Sequence, residues 1–281
     1  MGKVDRLGWS VGFSFSTYGV RVGVRSNNTS VLDRVQEALP GKWKETKLTE
    51  VDRLYSFFTT GVNGHGTAKR SGQLYGDHVR LARTPDFERM LEAFDSDFRL
   101  FVAEFASHHV FVHAGAVGWK GQGIIVPGRS YSGKSTLVAE LVRAGASYYS
   151  DEYAVIDSQG RLHPFVKPIE LRDEDTYQQS KVSLEDIGGR AGTKPLPISL
   201  VLMTKFKEGA RWRPRKLTRG KGVLELLSNT VSARRDPQRA FESLERVVAG
   251  ADVLQGVRGQ AADVVPAILK RLHKSTNPNV P

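Results

Sequence analysis

The chain contains no cysteine, which excludes disulfide bonds, thiol catalysis and thiolate metal sites. It also lacks an apolar run of about 18 residues, the length that a membrane-spanning helix needs, and it lacks a charged and apolar secretion leader. We therefore expect a soluble cytoplasmic protein with no membrane partner. Acidic residues are the scarcer charged class, with 30 Asp and Glu against 41 Lys and Arg, so the formal net charge is +11. This excess favours an anionic partner, which could be a nucleotide, a nucleic acid or an acidic peptide or protein.

The length of 281 residues leaves room for one large domain or two smaller ones, and 40% hydrophobic residues can form a proper core. Alternating apolar residues over 11–25 predict a β-hairpin. The pattern of residues 29–39 predicts a short amphipathic helix, and two strands are expected at 51–60 and 72–82. The pattern of residues 85–105 predicts a longer helix with a broad aromatic face. The first hundred residues contain no catalytic constellation.

The most informative stretch is a glycine-rich segment in the middle of the chain. It follows an apolar run at 122–126, which predicts a buried strand, and it precedes a helical pattern that ends near Gly145. Its residues fit the pattern Gly, four residues, Gly-Lys-Ser/Thr: Gly128, Arg129, Ser130, Tyr131, Ser132, Gly133, Lys134 and Ser135, followed by Thr136.

Strand, glycine loop and helix is the context that a phosphate-binding loop requires. Glycines let successive backbone N–H groups turn toward phosphate oxygens, and the helix N-terminus adds partial positive charge at the same place. Lys134 would reach the β- and γ-phosphates and the Ser135 hydroxyl would bind Mg²⁺. The segment therefore predicts a nucleoside triphosphate site. The alternative is an ordinary glycine turn before a helix with a solvated lysine.

Two neighbouring segments carry further candidate residues. His113 lies in a predicted strand at 110–117, which forms a hairpin with the strand before the glycine-rich segment. Asp151 and Glu152 follow a predicted strand at 146–149. An acidic residue at a strand end beside a phosphate loop is suited to Mg²⁺ binding or to general-base catalysis. The alternatives are plain surface acids and a structural histidine.

Three features, taken in chain order, resemble the catalytic core of the HPr kinase/phosphorylase family and its related proteins. They are His113, the segment 128–136 and the pair Asp151-Glu152. The resemblance covers about residues 100–280 and is most specific in 113–152. It implies an α/β fold: a P-loop kinase core with a mixed sheet, similar to ATP-dependent phosphoenolpyruvate carboxykinase. We expect a catalytic domain at 96–281, preceded by a smaller N-terminal α+β domain at 1–95. The resemblance does not extend to this first domain, and its expected role in substrate recruitment rests on its position alone.

The resemblance also implies roles for individual residues. Asp151 matches the base that takes the proton from the acceptor hydroxyl, and His113 matches a histidine near the transferred phosphate. Lys134 matches the phosphate lysine. The metal ligands implied are Ser135, Asp151, Glu152, which stands in place of a second aspartate, and Glu170. The alternative for Glu170 is an exposed acid at a strand end, paired with Arg172. The cofactors implied are ATP and Mg²⁺, and the acceptor is a serine or threonine hydroxyl on a protein or peptide.

The family signature Glu-x-Arg-Gly-x-Gly is only half present. Residues 169–172 match its beginning, but Asp173-Glu174-Asp175 follow where glycines are expected. Since that loop serves HPr binding and phosphorylase activity in the family, the truncated form resembles the related kinases that act on peptides. The resemblance also allows a homo-oligomer.

A basic segment at 205–221 remains to be explained. We predict a hairpin of 199–206 against 211–217, which is either a positive rim for an acidic peptide or nucleotide or a solvated basic surface. Two other functions stay open: a nucleotide-binding regulator without phosphate transfer and, ranked lowest, a nucleic-acid-stimulated ATPase. A single tryptophan in the segment is too little for a nucleic-acid platform.

Overall fold

The computed structural model describes residues 4–40, 42–47, 50–60, 71–128, 132–172 and 179–276. The chain divides into two compact units, residues 1–108 and 109–281. Both combine α-helices with a mixed β-sheet, as the sequence predicts. Within the described ranges, no helix is long and apolar enough to cross a membrane.

The first unit is a six-stranded sheet in the order β3-β1-β2-β4-β5-β6, with two helices. Among the strands that the structure describes in this unit, only the β2–β4 pair is parallel. The elements, in chain order, are β1 (Val11–Thr17), β2 (Val20–Ser26), α1 (Thr29–Ala38), β3 (Lys44–Thr46), β4 (Arg53–Thr59), β5 (Gly72–Gly76), β6 (Val79–Thr84) and α2 (Phe87–Phe105).

Helix α2 supplies much of the core of this unit. Asp86 caps its N-terminus by accepting backbone hydrogen bonds, and the helix buries Phe94 and Phe98. These rings stack on each other, and Phe94 meets Tyr55 of β4 edge-on. The predicted β1–β2 hairpin and both predicted helices are confirmed. The domain boundary expected after residue 95 falls inside α2, whereas the compact units divide after His108.

The second unit contains a larger mixed sheet in the order β11-β10-β7-β8-β14-β16-β15, with β9 paired to β7, and a separate two-stranded sheet, β12-β13. The elements, in chain order, are β7 (His109–Trp119), β8 (Gln122–Pro127), α3 (Lys134–Arg143), β9 (Ser147–Ser150), β10 (Tyr153–Asp157), β11 (Arg161–His163), β12 (Ile169–Arg172), β13 (Gln179–Val182), β14 (Leu196–Phe206), β15 (Arg215–Lys216), α4 (Arg219–Leu227), α5 (Pro237–Gly250), β16 (Asp252–Arg258) and α6 (Ala261–Thr276).

Helices cover both faces of this sheet, so its central strands are apolar on both sides. One core cluster packs α3 and α6 against the sheet through residues such as Leu137 and Ile268. The other packs α4 and α5 through residues such as Leu226 and Leu244. The predicted β7–β8 hairpin is confirmed, with Ala114 opposite Pro127 at its open end.

The predicted hairpin of 199–206 against 211–217 is wrong. Strand β14 pairs in parallel with β8 on one side and with β16 on the other, and the short β15 pairs with β16 instead. Residues 200–204 of β14 are buried on both faces of the sheet, the environment that is typical of parallel strands covered by helices.

Candidate functional site

The candidate site lies at the edge of the sheet where β8 ends. Because β8, β14 and β16 are parallel, their carboxyl ends meet at this edge, where ligands bind in open α/β sheets. Strand β7 runs in the opposite direction and brings His113 beside Gly128. The turn between β9 and β10 places Asp151 and Glu152 beside the same part of β7 as His113. Here the Ala114 N–H of β7 donates a hydrogen bond to the Glu152 carbonyl oxygen.

Helix α3 begins at the site. Its N-cap, Gly133, has a left-handed backbone with φ of 81°, a conformation that favours glycine. The next residue, Lys134, is only 7% exposed although it carries an ammonium group. Burial lowers the pKa of Lys134 to about 8, an effect that the nearby negative charge of Asp151 partly offsets. A buried cation at a helix N-terminus is an arrangement that a bound anion would stabilise.

The other residues predicted to bind phosphate are placed as follows. Arg129, Ser130 and Tyr131 lie outside the described residues. Gly128 and Ser135 are half-buried and Thr136 is exposed. The Ser132 hydroxyl is buried and has no hydrogen-bond partner within the described part of the chain. A buried hydroxyl without a partner is costly, and an incoming phosphate oxygen could accept its hydrogen bond.

His113 is tied to the glycine-rich segment. Its Nδ1 lies 2.8 Å from the Gly128 carbonyl oxygen, and its own carbonyl oxygen accepts a hydrogen bond from the Gly128 N–H at 3.2 Å. Burial lowers the pKa of His113, and the positive charge of Lys134 acts in the same direction. We therefore expect a neutral imidazole at pH 7 that donates from Nδ1 to Gly128 and leaves Nε2 as the acceptor.

Asp151 is 6% exposed and both of its carboxylate oxygens accept hydrogen bonds. Oδ1 accepts from the Tyr148 hydroxyl at 2.9 Å, and Oδ2 accepts from the Glu170 backbone N–H at 3.1 Å. These two bonds fix the carboxylate and connect β12 to the site. A carboxylate has about four lone-pair positions, so two remain for a metal ion or an acceptor hydroxyl.

Sequence reasoning missed Lys167, which lies among the acids of the site. Its Nζ is 3.1 Å from Glu152 Oε2 and 3.4 Å from Glu170 Oε1, and its side chain is 12% exposed. Burial opposes the charge, but the attraction of Glu152, Asp151 and Glu170 outweighs it and raises the pKa of Lys167. The only signal in the sequence is a lysine two residues before the half-matched signature at 169–172.

Arg258 is the second residue that sequence reasoning missed. It is the last residue of β16 and is 1% exposed. Its Nη2 donates to the Gly133 carbonyl oxygen at 2.6 Å, and its Nη1 donates to the Gly259 carbonyl oxygen at 2.9 Å. The guanidinium thus holds the start of α3 against the loop between β16 and α6.

The donor set limits how a metal ion could bind. Among the described residues, no group of three or more histidine and acidic side chains is arranged to hold a metal ion. Glu152 and Glu170, which were expected as ligands, share Lys167 instead. Mg²⁺, however, usually uses one or two carboxylates together with substrate phosphates and water. Ser135 and Asp151 fit that reduced requirement, whereas a site made only of protein ligands does not.

No protein-family model matches the sequence, and no curated protein matches it. One solved structure that resembles the chain is the Hpr(Ser) kinase/phosphatase from Coxiella burnetii. The two share 15% sequence identity and a TM-score of 0.34, over 60% of this chain and 99% of that one. Because both values are low, this likeness assigns neither a fold family nor an activity to the chain.

Proposed function

We propose that the protein is an ATP-dependent kinase that transfers the γ-phosphoryl group to a hydroxyl, a serine or threonine of a protein or peptide. In this proposal, residues 109–281 are a P-loop kinase core of the HPr-kinase-like type. The observation that carries the proposal is the buried, cationic start of α3 at Lys134, with Asp151 close enough for its charge to act on that lysine. A phosphate site and a fixed carboxylate at one sheet edge are what phosphoryl transfer needs.

The transfer can be written with the residues of the chain. Asp151 takes the proton of the acceptor hydroxyl, whose oxygen forms a bond to the γ-phosphorus while the bond to the β–γ bridging oxygen breaks and ADP leaves. Lys134 and the N–H groups at the start of α3 stabilise the charge on the phosphoryl oxygens. Ser135 and Asp151 would hold Mg²⁺, which when bound supplies positive charge to the β- and γ-phosphate oxygens.

Lys167 offsets part of the negative charge that the acidic residues place around this site. Asp151, Glu152 and Glu170 would carry three negative charges beside a triphosphate, which would repel it. Lys134 and Lys167 reduce the sum of these five side chains to one negative charge. Lys167 thus serves as an internal cation that offsets part of this negative charge.

One observation favours a second candidate, a nucleotide-binding regulator that does not transfer phosphate. Glu152 and Glu170 are occupied by Lys167, and both Asp151 oxygens already accept hydrogen bonds. A carboxylate that already accepts two hydrogen bonds has fewer lone pairs left for an acceptor hydroxyl. Tight binding of Mg·ATP without any phosphorylated product would decide for the regulator.

The test is mass spectrometry of candidate peptides and cell proteins after incubation with the protein and Mg·ATP. We expect Lys134→Ala to abolish turnover and weaken nucleotide binding. Asp151→Asn should lower turnover by about 10²–10⁴-fold while leaving nucleotide affinity within about threefold. Asp186→Asn, a change of an exposed acid in the same unit, is the control and should have no effect. Full phosphorylation by the Asp151→Asn protein would remove Asp151 from the chemistry.

A further inference from the structure

An exposed aromatic ring stands beside the candidate site without a role in the proposed chemistry. Phe206 is the last residue of β14 and is 45% exposed, whereas residues 200–204 of the same strand are buried. Single exposed apolar residues are common on protein surfaces, so exposure alone indicates nothing. The position is informative, because β14 neighbours β8 in parallel and therefore ends at the sheet edge where α3 begins.

The ring lies next to the predicted phosphate site. A Cβ atom added to Gly133 would be 3.5 Å from the Cβ atom of Phe206 and 2.6 Å from Nη2 of Arg258. The centre of the Arg258 guanidinium is 5.8 Å from the centroid of the Phe206 ring. Since Arg258 is buried and bonded to two backbone carbonyl oxygens, it gives the ring a fixed cationic support.

The direction of a bound nucleotide follows from the positions of the charged groups. His113, Asp151 and Glu152 lie on the β7 side of β8, so a terminal phosphate that reacts there points toward that side. Strands β14 and β16 lie on the other side of β8. With its middle phosphates at the start of α3, a nucleotide must therefore direct its ribose and base toward the ends of β14 and β16, where Phe206 is exposed.

We propose that Phe206 is the stacking platform for the base of the nucleotide, so that the site takes a nucleoside triphosphate rather than a bare polyphosphate. This inference rests on the proposed function. Stacking on one ring uses the π-face that every base has, and it does not read hydrogen-bonding edges. ATP and GTP should therefore bind with similar affinity, and both should bind more tightly than inorganic tripolyphosphate.

The experiment measures the binding of Mg·ATP and of Mg·tripolyphosphate by calorimetry to the full-length protein and its variants. We expect Phe206→Ala to weaken ATP binding by about 5- to 150-fold, the range found for losing one base–aromatic stack. Its affinity for tripolyphosphate should not change, and Phe206→Tyr should keep ATP affinity. The matched control is Phe241→Ala on α5, which removes a ring of similar exposure, 50%, beside Leu227 and Ala233.

The outcomes separate the two proposals. If Phe206→Ala binds ATP as well as the unmodified protein, while Lys134→Ala loses both ligands, the base platform is wrong and the phosphate site stands. Equal weakening of ATP and tripolyphosphate by Phe206→Ala would also overturn the platform, because the ring would then act on the start of α3. If the unmodified protein binds neither ligand, or Lys134→Ala binds both normally, the proposed function fails and the platform fails with it.

Discussion

One buried lysine, Lys134, and one partly buried lysine, Lys167, define the site at the scale of single residues. They differ in what determines their charge. Lys167 has acidic partners within 3.4 Å, and their attraction raises its pKa above the ordinary value. At Lys134 burial prevails and brings the pKa down to about 8. A lysine of this kind is weakly charged in the free protein at alkaline pH and gains charge when an anion binds. Nucleotide binding and proton uptake should therefore be linked.

The consequence is a pH dependence with a defined sign. Because phosphate binding favours the charged form of Lys134, nucleotide affinity should fall as pH rises through about 8, by about tenfold between pH 8 and pH 9.5. The free energy of unfolding should change the other way. Between about pH 8 and 10.5 the unfolded chain binds the extra proton, so this lysine makes the free protein more stable as pH rises.

Calorimetric titrations with Mg·ATP at several pH values measure the first effect, and thermal unfolding of the free protein measures the second. Lys134→Arg is the control, because a guanidinium stays charged throughout this range. Its nucleotide affinity, whatever the absolute value, should not vary with pH between 7 and 9.5. The same alkaline loss of affinity in the arginine variant would show that another group titrates.

At the scale of elements, the start of α3 depends on one glycine. Gly133 is in a left-handed conformation, which costs other residues about 1–2 kcal/mol. A side chain there would also displace the Arg258 guanidinium, whose Nη2 would lie 2.6 Å from the added Cβ atom. The glycine thus allows both the sharp helix entry and the hydrogen bond between β16 and the start of α3.

We expect Gly133→Ala to lower the melting temperature by about 4–10 °C, because backbone strain and the displaced guanidinium add up. Nucleotide affinity should fall as well, since the first N–H groups of α3 would shift. Gly188→Ala is the control: its φ is 64° and nothing lies within 4 Å of an added Cβ atom, so only the strain applies. Equal melting shifts and unchanged nucleotide binding in both variants would show that Arg258 does not hold the start of α3.

At the scale of the whole molecule, each unit has its own core. The second unit contains the complete large sheet with helices on both faces, as well as all described candidate site residues. The first unit has an independent aromatic core around Phe94 and Phe98, and its described residues include no candidate catalytic residue. Because the candidate site lies entirely in the second unit, we propose that the first unit recruits the acceptor.

The division into two units allows nucleotide binding and acceptor recruitment to be tested separately. Residues 109–281 expressed alone should fold cooperatively, because they bury two apolar clusters of their own. The fragment should bind Mg·ATP within about threefold of the full-length protein but phosphorylate the acceptor poorly. Circular dichroism, calorimetry and the mass-spectrometric assay measure the three properties. A fragment that phosphorylates the acceptor at the full rate would exclude recruitment by the first unit.

The sequence by itself determined the local features of this protein. A glycine pattern between an apolar run and a helical pattern located the start of α3, and periodicity found helices α1 and α2, because these signals depend on residues close in the chain. Only the tertiary structure decided which distant residues surround that start. Arg258 reaches Gly133 across 125 residues, and Lys167 contacts Glu152 from the segment between β11 and β12. Phe206 lies at the end of a strand for which the sequence predicted the wrong partner. Strand order is set by burial over the whole sheet, and no local pattern encodes it.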